Sequence, residues 1–376
     1  MTKNLTAYLQ GATETGQIHG GELLVLKGGE AIYHQAFGRR DEIRKMETGQ
    51  VYRLASITKP LTSAAVLSAF AGGQLEPGMP VTDLLPEFRP VLPDGRVPVI
   101  TLGHLLTHTA GLSYAFLEPR DSAHWQTRVS TGLDQPGLSL EENLARLAAA
   151  PLLFEPGTAW HYSLATDVIG AVLEQLHGQP LETVLRRVVL DPLGMSETSF
   201  AAPMDRDGIV PPYWDGDGIA QPMNAEEQLV PFVEGVTYAP GRIFDAASYH
   251  SGGAGIRGSA RDIATFLECI RTGGAPILPT REAKLMHTNM IGDIPVATDG
   301  PGWGFGYGAA VLRDPVAADT PHRTGTFQWG GAWGHHWFVD PEEELVSVQL
   351  TNTALRGMTG DFPNGVIREV YAAFTS

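Results

Sequence analysis

The amino-acid sequence predicts an α/β protein of the α+β kind, with a mainly antiparallel sheet flanked by helices and an additional helical domain. Short strand-like segments occur near both ends of the 376-residue chain, and helical patterns separated by Pro- and Gly-rich connectors occupy its middle. With 43% hydrophobic residues, the chain can bury a large core. Strands from both termini are expected to meet in one sheet, with the helical part inserted between them.

The predicted domains are therefore discontinuous in sequence. We expect residues 1–75 and 240–376 to form the domain that contains the sheet, and residues 76–239 to form the mainly helical domain. The functional site is expected in the groove between them.

The N-terminal elements follow from hydrophobic periodicity. Residues 4–16 have the pattern of an amphipathic helix, and the segment GGELLVLKGGEAIYHQAFG that follows is typical of two strands joined by a turn at Lys27, Gly28 and Gly29. From Ser56 to Gln74 the pattern is helical again. These segments predict a helix, a hairpin and a second helix, in that order.

The middle and the C-terminal part of the chain have different sequence patterns. Segments such as TLGHLLTHTAGL, SLEENLARLAAAP and LATDVIGAVLEQLHG predict helices. Towards the C-terminus, WGHHWFVDPEEELVSVQLTN predicts two strands joined at Asp340 and Pro341, and a final helix is expected from about Asn364 to Phe374.

Composition excludes several classes of partner. The chain has 26 basic and 42 acidic side chains, a net charge of -16, which repels phosphate backbones and anionic membrane surfaces. No segment approaches the roughly 18 apolar residues of a membrane span, and the N-terminus lacks the pattern of a secretory signal. We expect a cytoplasmic protein without nucleic-acid or membrane partners, and the sequence leaves its oligomeric state open.

Cys269 is the single cysteine of the chain, so no intrachain disulfide can form. It lies on the apolar face of a predicted helix, which favours a buried, unreactive thiol over a nucleophile.

A serine lies three residues before a lysine in the segment YRLASITKPLTSAAVL. Ser56 and Lys59 are separated by close to one helical turn, so their side chains can reach each other. A serine hydroxyl is a weak nucleophile until a base takes its proton, and a desolvated lysine can serve as that base. The alternative is a pair of ordinary polar residues at the start of a helix. No other lysine of the chain follows a serine at this spacing.

Five further blocks accompany this pair in a fixed order. They are ITLGHLLTHTAGL at 100–112, EPGTAWHYSLATDVIGAVLE at 155–174, DPLGMSETSF at 191–200, GGAGIRGSARDIATFL at 252–267 and QWGGAWGHHWFVDPEEELVSVQLTN at 328–352. With the Ser-x-x-Lys pair, they resemble the serine β-lactamase and penicillin-binding-protein superfamily in its class C-like branch. The similarity is greatest to the carboxylesterases built on that fold, often called family VIII.

This resemblance implies a β-lactamase/transpeptidase-like fold and an acyl-enzyme mechanism. By match, Ser56 is the nucleophile, Lys59 its activator, and Tyr162 shares the proton transfer from the place of a Tyr-x-Asn tyrosine. A tyrosine simply hydrogen-bonded in the core is the alternative for Tyr162. We expect neither a cofactor nor a metal.

Two departures from the lactamase pattern favour esters over lactams. Leu164 replaces the asparagine of the Tyr-x-Asn triplet, so a polar contact to an amide substrate is lost. Trp329 and Gly330 stand where lactamases have Lys-Thr, so the cation that meets a substrate carboxylate is lost as well. A tryptophan offers an apolar wall for an uncharged acyl or alcohol group. The predicted substrate is a small carboxylic ester, and we assign Leu164, Trp329 and Gly330 to its binding.

The remaining site predictions are less tightly determined. Acyl transfer develops an oxyanion that needs two N–H donors, which we assign to Ser56 and to either Gly331 or Ala332. Tyr114 is expected in the pocket from its place in the esterase branch. His335 and His336 would alternate faces on a strand, so one of them can line the pocket, and we assign His335 to substrate binding.

Other sites are not favoured by the sequence. No Gly-x-Ser-x-Gly elbow of an α/β-hydrolase is present. His104 and His108 have a spacing that can hold zinc, but no glutamate follows the first histidine, and we expect structural roles for both. Three alternatives to an esterase stay open: a β-lactamase, D-amino-acid peptidase or amidase, an acyltransferase on the same fold, and a non-catalytic binding module.

Overall fold

The structure is a computed structural model that describes residues 2–200, 206–224 and 226–375. The helices are α1 (Lys3–Glu14), α2 (Thr58–Ala71), α3 (Leu102–Leu106), α4 (Ala123–Gln126), α5 (Leu140–Ala149), α6 (Ala165–His177), α7 (Leu181–Leu185), α8 (Ala260–Arg271), α9 (Thr280–Met286) and α10 (Asp361–Phe374). The strands are β1 (Gly20–Lys27), β2 (Glu30–Gly38), β3 (Val51–Arg53), β4 (Tyr213–Gly216), β5 (Ile219–Pro222), β6 (Gln228–Val230), β7 (Val236–Tyr238), β8 (Arg257–Ser259), β9 (Trp303–Phe305), β10 (Ala310–Leu312), β11 (Phe327–Gly331), β12 (His335–Asp340), β13 (Leu345–Thr351) and β14 (Thr353–Ala354).

A seven-stranded sheet organises the molecule, in the order β2-β1-β13-β12-β11-β10-β9. Every neighbouring pair in this sheet is antiparallel. Strand β1 from the N-terminus pairs along its length with β13 from the C-terminus, with Leu24 opposite Val348. The predicted fold class, a mainly antiparallel sheet assembled from both termini and flanked by helices, is confirmed.

Helices cover both faces of the sheet, because side chains along its central strands alternate between two apolar clusters. Leu23 and Val25 of β1 pack into a cluster with residues of α1 and α10. Leu24 between them belongs to the larger core, which also contains residues of α2, α6 and α8. Strand β13 is buried over its whole length, as expected of a strand covered on both sides.

The β1–β2 hairpin shows how the sequence determines a local structure. Gly28 and Gly29 form its two-residue turn, with φ angles of +58° and +85°. Hairpin turns with two positive φ angles match the right-handed twist of the strands and favour glycine at both positions. The turn lies where the sequence predicts it.

The described part of residues 76–239 contains helices α3 to α7 and also the short strands β4 to β7. These strands have three or four residues each. Segments this short carry too little alternation to be recognised in a sequence. Among the helices that the structure describes, none is both long and apolar enough to span a membrane.

Candidate active site

Ser56 lies in a short helical turn (Ala55–Ile57) that leads directly into α2. Ala55 has a φ angle of +46°, a conformation that side-chain-bearing residues rarely adopt. The turn is held by a hydrogen bond from the Thr58 hydroxyl to the Ala55 carbonyl, 2.6 Å long, and by the Leu54 N–H donating to the Ile256 carbonyl at 2.9 Å. Ser56 therefore lies at the N-terminal end of a helix, where the helix dipole favours negative charge.

Lys59 is buried one helical turn further along, with 1% of its side chain exposed. Its Nζ lies 3.2 Å from Ser56 Oγ, 3.0 Å from the Tyr114 hydroxyl and 2.8 Å from the Gly253 carbonyl oxygen. The carbonyl can only accept, whereas each hydroxyl can donate or accept. Lys59 can therefore either donate a hydrogen bond to Ser56 or accept its proton without leaving this position.

Tyr162 approaches Ser56 from the side opposite Lys59. Its hydroxyl donates to Ser56 Oγ at 2.7 Å, and Lys59 Nζ lies 4.8 Å from the centre of its ring. The ring packs against Tyr114 and Trp329, with centroid distances of 5.1 Å in both cases. The Ser56 hydroxyl thus lies between two groups that can exchange protons with it.

Tyr114 contacts Lys59 directly, which its position in the sequence does not predict. It lines the cavity, as predicted, and its hydroxyl also accepts a hydrogen bond from Lys59. Burial raises the pKa of Tyr114 well above the usual tyrosine value, and the adjacent Tyr162 raises it further. Tyr114 is therefore a neutral phenol that helps to position Lys59.

Asp167 is a residue that the sequence analysis missed. It lies on α6 with 1% exposure, and neither carboxylate oxygen has a hydrogen bond of ordinary geometry within the described residues. Burial raises the pKa of Asp167 to about 6, although Ser251 and Lys59 favour its ionised form. An aspartate five positions after Tyr162, directly before the apolar run VIGAVL of α6, was the available signal.

The absence of a side chain at Gly253 leaves room for this arrangement. A Cβ atom at this position would lie 2.6 Å from Asp167 Oδ2, 3.3 Å from Lys59 Nζ and 3.5 Å from the Tyr114 hydroxyl. The polar groups of Asp167, Lys59 and Tyr114 therefore all lie close to Gly253, near Ser56.

Strand β11 approaches the turn that contains Ser56 very closely at Gly331. A Cβ atom on Gly331 would lie 2.3 Å from the Leu54 carbonyl oxygen, closer than real Cβ contacts occur. Only glycine permits this approach. It is consistent with the assignment of the second oxyanion donor to Gly331 or Ala332, which remains a prediction beside the Ser56 N–H.

A cavity of about 710 Å³ opens in front of Ser56. Trp329 and Gly330 line it, as predicted, together with Ala332. The wall near Ser56 is formed mainly by aromatic and aliphatic side chains that the sequence analysis did not single out: Phe116, Leu117, Trp160, Phe232, Val233 and Val236. This part of the cavity suits an apolar group.

Two predicted substrate-binding residues lie outside the cavity lining. Leu164 is 1% exposed and belongs to the main hydrophobic core, directly before α6. His335 is completely buried, with Nε2 2.7 Å from the Arg53 carbonyl oxygen and Nδ1 3.3 Å from the Thr351 N–H. Both ring nitrogens are therefore used inside the protein. The assignments of Leu164 and His335 to substrate contact are corrected.

His336 takes the place in the cavity that was assigned to its neighbour. It is paired with Gly330 across β11 and β12, whereas His335 is paired with Gly331. Residues opposite each other on adjacent strands point to the same face, so the two histidines point to opposite faces. His336 lines the cavity.

His104 and His108 have structural contacts. His104 Nδ1 lies 3.3 Å from the Thr101 N–H at the start of α3, and His108 is buried with Nδ1 3.2 Å from the Ser163 hydroxyl. Burial lowers the pKa of His108 well below its usual value. Within residues 2–200, 206–224 and 226–375, no group of three or more His, Cys, Asp and Glu side chains is placed to hold a metal ion.

Comparison with known proteins identifies the family. Residues 5–372 match the Beta-lactamase family, so the chain belongs to that family. Its relatives include Esterase EstB of Burkholderia gladioli, 43% identical over 379 residues that cover 99% of this chain and 95% of that protein. Lovastatin esterase of Penicillium rubens is 25% identical and covers 92% of each chain.

A solved structure supports the same grouping. EstCE1, described as a hydrolase with promiscuous acyltransferase activity, superposes with a TM-score of 0.93 at 39% sequence identity, covering 98% of both chains. The similarity therefore extends over the sheet and the inserted helices alike.

Proposed function

We propose that the protein is a serine carboxylesterase that cleaves small carboxylic esters through an acyl-enzyme, in the family VIII branch of its family. The observation that carries the proposal is the position of Ser56 Oγ, 2.7 Å from the Tyr162 hydroxyl and 3.2 Å from Lys59 Nζ. The identity of 43% to an esterase over nearly the whole chain supports it.

The proposed reaction has two acyl-transfer steps. Ser56 Oγ attacks the ester carbonyl carbon while its proton passes to Lys59 or Tyr162, and the oxyanion is stabilised by backbone N–H donors and the helix dipole. The alcohol leaves with a proton returned by the same pair. Water then attacks the acyl-enzyme, its proton follows the same route, and Ser56 is released with the carboxylic acid.

We base the proposed preference for esters over lactams on Trp329, because Leu164 does not line the cavity. Its ring lies 5.1 Å from that of Tyr162 and 5.4 Å from that of Phe305, so the wall beside the nucleophile is aromatic. Among the described residues that form this wall, none is a cation that could bind the carboxylate of a penicillin. Leu164, buried in the core, supplies no polar contact to an amide either.

Acyl transfer to an alcohol other than water is the second candidate. The cavity of about 710 Å³ has room for an alcohol beside the acyl group, and its wall near Ser56 is apolar. The described activity of EstCE1 supports this possibility. Adding an alcohol to the ester assay and measuring the new ester against the free acid distinguishes the two.

The testing experiment uses p-nitrophenyl esters with C2 to C6 acyl chains beside a chromogenic cephalosporin. We expect clear ester turnover, with kcat/KM for the cephalosporin lower by about a hundredfold or more, since each charge-assisted contact is worth about 1.5–3 kcal/mol. Ser56→Ala should reduce ester hydrolysis by roughly 10³-fold or more in a folded protein. Comparable efficiency on both substrates, or an active Ser56→Ala protein, would contradict the proposal.

A further inference from the structure

The cavity in front of Ser56 continues around one edge of strand β11. On β11, strand β10 pairs with Phe327 and Gln328, and its pairing ends before Trp329. Trp329 points to the Tyr162 side of the sheet. Gly330 faces the other side, where a Cβ atom would lie 2.6 Å from Met358 Cγ. Both faces contribute to the same cavity lining.

The far compartment, as we name the part beyond Gly330, differs chemically from the part near Ser56. Its polar lining residues include Asp299, Asp319, Gln328, His336, Asn364 and Arg368, the last two from α10. The wall near Ser56 is aromatic and aliphatic, as described above. The cavity as a whole therefore fits a ligand with one apolar and one polar part.

Several polar groups of the far compartment have unused hydrogen-bonding capacity. Gln328 donates to Asp299 at 2.9 Å, so these two side chains partly satisfy each other. Within the described ranges, no hydrogen bond or ion pair involves the side chains of His336, Asn364 or Arg368, which all line the cavity. Burial lowers the pKa of His336 to about 4. At neutral pH its ring is uncharged, with one nitrogen that donates and one that accepts.

Charge in the far compartment does not favour an ionic ligand. The carboxyl groups of Asp299 and Asp319 and the guanidinium of Arg368 all line the cavity. An anion attracted by Arg368 would meet two carboxyl groups, and a cation would meet the guanidinium. A hydroxyl group can donate to the carboxyl groups and accept from the guanidinium without carrying charge.

From these observations we propose that the far compartment binds the alcohol part of the substrate, and that this alcohol is a neutral polyol such as glycerol or a sugar. The inference rests on the proposed esterase function and extends it to a substrate class. The acyl group then occupies the apolar wall near Ser56, and the ester bond lies at Ser56. A volume of about 710 Å³ exceeds the needs of a short alkyl ester and lies within the roughly 300–1,000 Å³ of pockets for larger ligands.

The test compares two pairs of butyrate esters, which differ in their hydroxyl groups and, in the second pair, also in one ring oxygen. Glyceryl 1-butyrate and propyl butyrate have the same carbon skeleton, and 6-O-butyryl glucose is compared with cyclohexylmethyl butyrate. Acid release is followed by pH-stat titration to obtain kcat/KM for each ester. We expect the polyol ester of each pair to be preferred about tenfold or more, since several hydrogen bonds are added.

Two variants connect this preference to the far compartment. Asn364→Leu and His336→Leu should each reduce the preference about fivefold, chiefly through KM, because each removes hydrogen bonds to the alcohol part. Asn4→Leu makes the same exchange at an exposed position of α1, away from the cavity, and should keep the wild-type preference. Asn364 is exposed, so its variant keeps the test valid if His336→Leu fails to fold.

Equal kcat/KM within both ester pairs, or a preference that survives both variants, would overturn the inference while the esterase function stands. Failure to hydrolyse any of the four esters, or the p-nitrophenyl esters, would refute the esterase function itself and the inference with it.

Discussion

At the scale of single residues, the surroundings of Lys59 organise the proposed chemistry. One backbone carbonyl and two hydroxyls surround its Nζ, and Tyr114, held neutral by burial, provides one of the hydroxyls. Tyr162 then completes the contacts of Ser56 from the other side. Substitutions of Tyr162 and of Asp167 test separate parts of this arrangement.

Tyr162→Phe removes the hydroxyl 2.7 Å from Ser56 Oγ and retains the ring that packs against Trp329. We expect kcat for p-nitrophenyl butyrate to fall by about 10²–10⁴-fold, as is typical for loss of a proton-transfer group, with KM little changed. Steady-state kinetics measure both. Tyr33→Phe, which removes a hydroxyl bonded to Thr6 far from the site, is the matched control. Near-normal kcat in Tyr162→Phe would assign the proton transfer to Lys59 alone.

Asp167→Asn tests the cost of a buried carboxyl group. The pKa of Asp167 is raised from 3.8 to about 6 in the folded state. A raised folded-state pKa means that its contribution to stability is fully present below about pH 4 and is lost as pH rises through 6. Relative to Asp167→Asn, the wild-type free energy of unfolding should therefore fall by about 2–3 kcal/mol between pH 4 and pH 7.

Urea unfolding of both proteins across this pH range measures the difference. Comparison with the variant cancels the contributions of other titrating groups. A difference that does not change with pH would show that Asp167 is ionised throughout, and that its environment is more polar than the structure indicates.

At the scale of elements, the site depends on the contact between strand β11 and the turn before α2. Gly331 lies against the Leu54 carbonyl, two residues from Ser56 in the chain, so a shift of β11 displaces Ser56. Ala55, whose positive φ angle is strained, lies between Leu54 and Ser56. Strain of this kind persists only where the surrounding structure enforces it.

Gly331→Ala should force β11 and the turn apart, because the Cβ atom would lie 2.3 Å from a backbone oxygen. We expect kcat/KM to fall by about a hundredfold or more and the free energy of unfolding to fall by about 1–3 kcal/mol. Gly11→Ala is the matched control, since no atom lies within 4 Å of the added Cβ on α1. It should stabilise the protein slightly. An active, stable Gly331→Ala protein would rule out the close approach.

The sequence allows the elements with strong local signals to be predicted. Alternating residues and two glycines indicate the β1–β2 hairpin, and the Ser56–Lys59 spacing indicates the start of α2. Local pattern alone does not decide which of His335 and His336 faces the cavity, because that depends on the register of β12 against β11. The contact of Tyr114 with Lys59 and the position of Asp167 likewise arise only from tertiary packing.

At the scale of the whole molecule, one cavity collects residues from almost the entire chain. Ser56 comes from the N-terminal part, Tyr162 from the inserted helical part, and Trp329 from the C-terminal part of the sheet. The resemblance in ordered sequence blocks predicts this convergence for the catalytic residues. It does not predict the far compartment, which is formed by α10, by strands β11 and β12, and by the segments before β9 and between β10 and β11.

We propose Ser56 as the nucleophile that becomes acylated. A p-nitrophenyl alkylphosphonate tests it directly, because attack by Ser56 Oγ forms a bond to phosphorus and releases p-nitrophenolate. Mass spectrometry of the digested protein should place a single phosphonate adduct on the peptide that contains Ser56, and Ser56→Ala should release no stoichiometric p-nitrophenolate. An adduct on a different serine, or undiminished labelling of Ser56→Ala, would contradict the account.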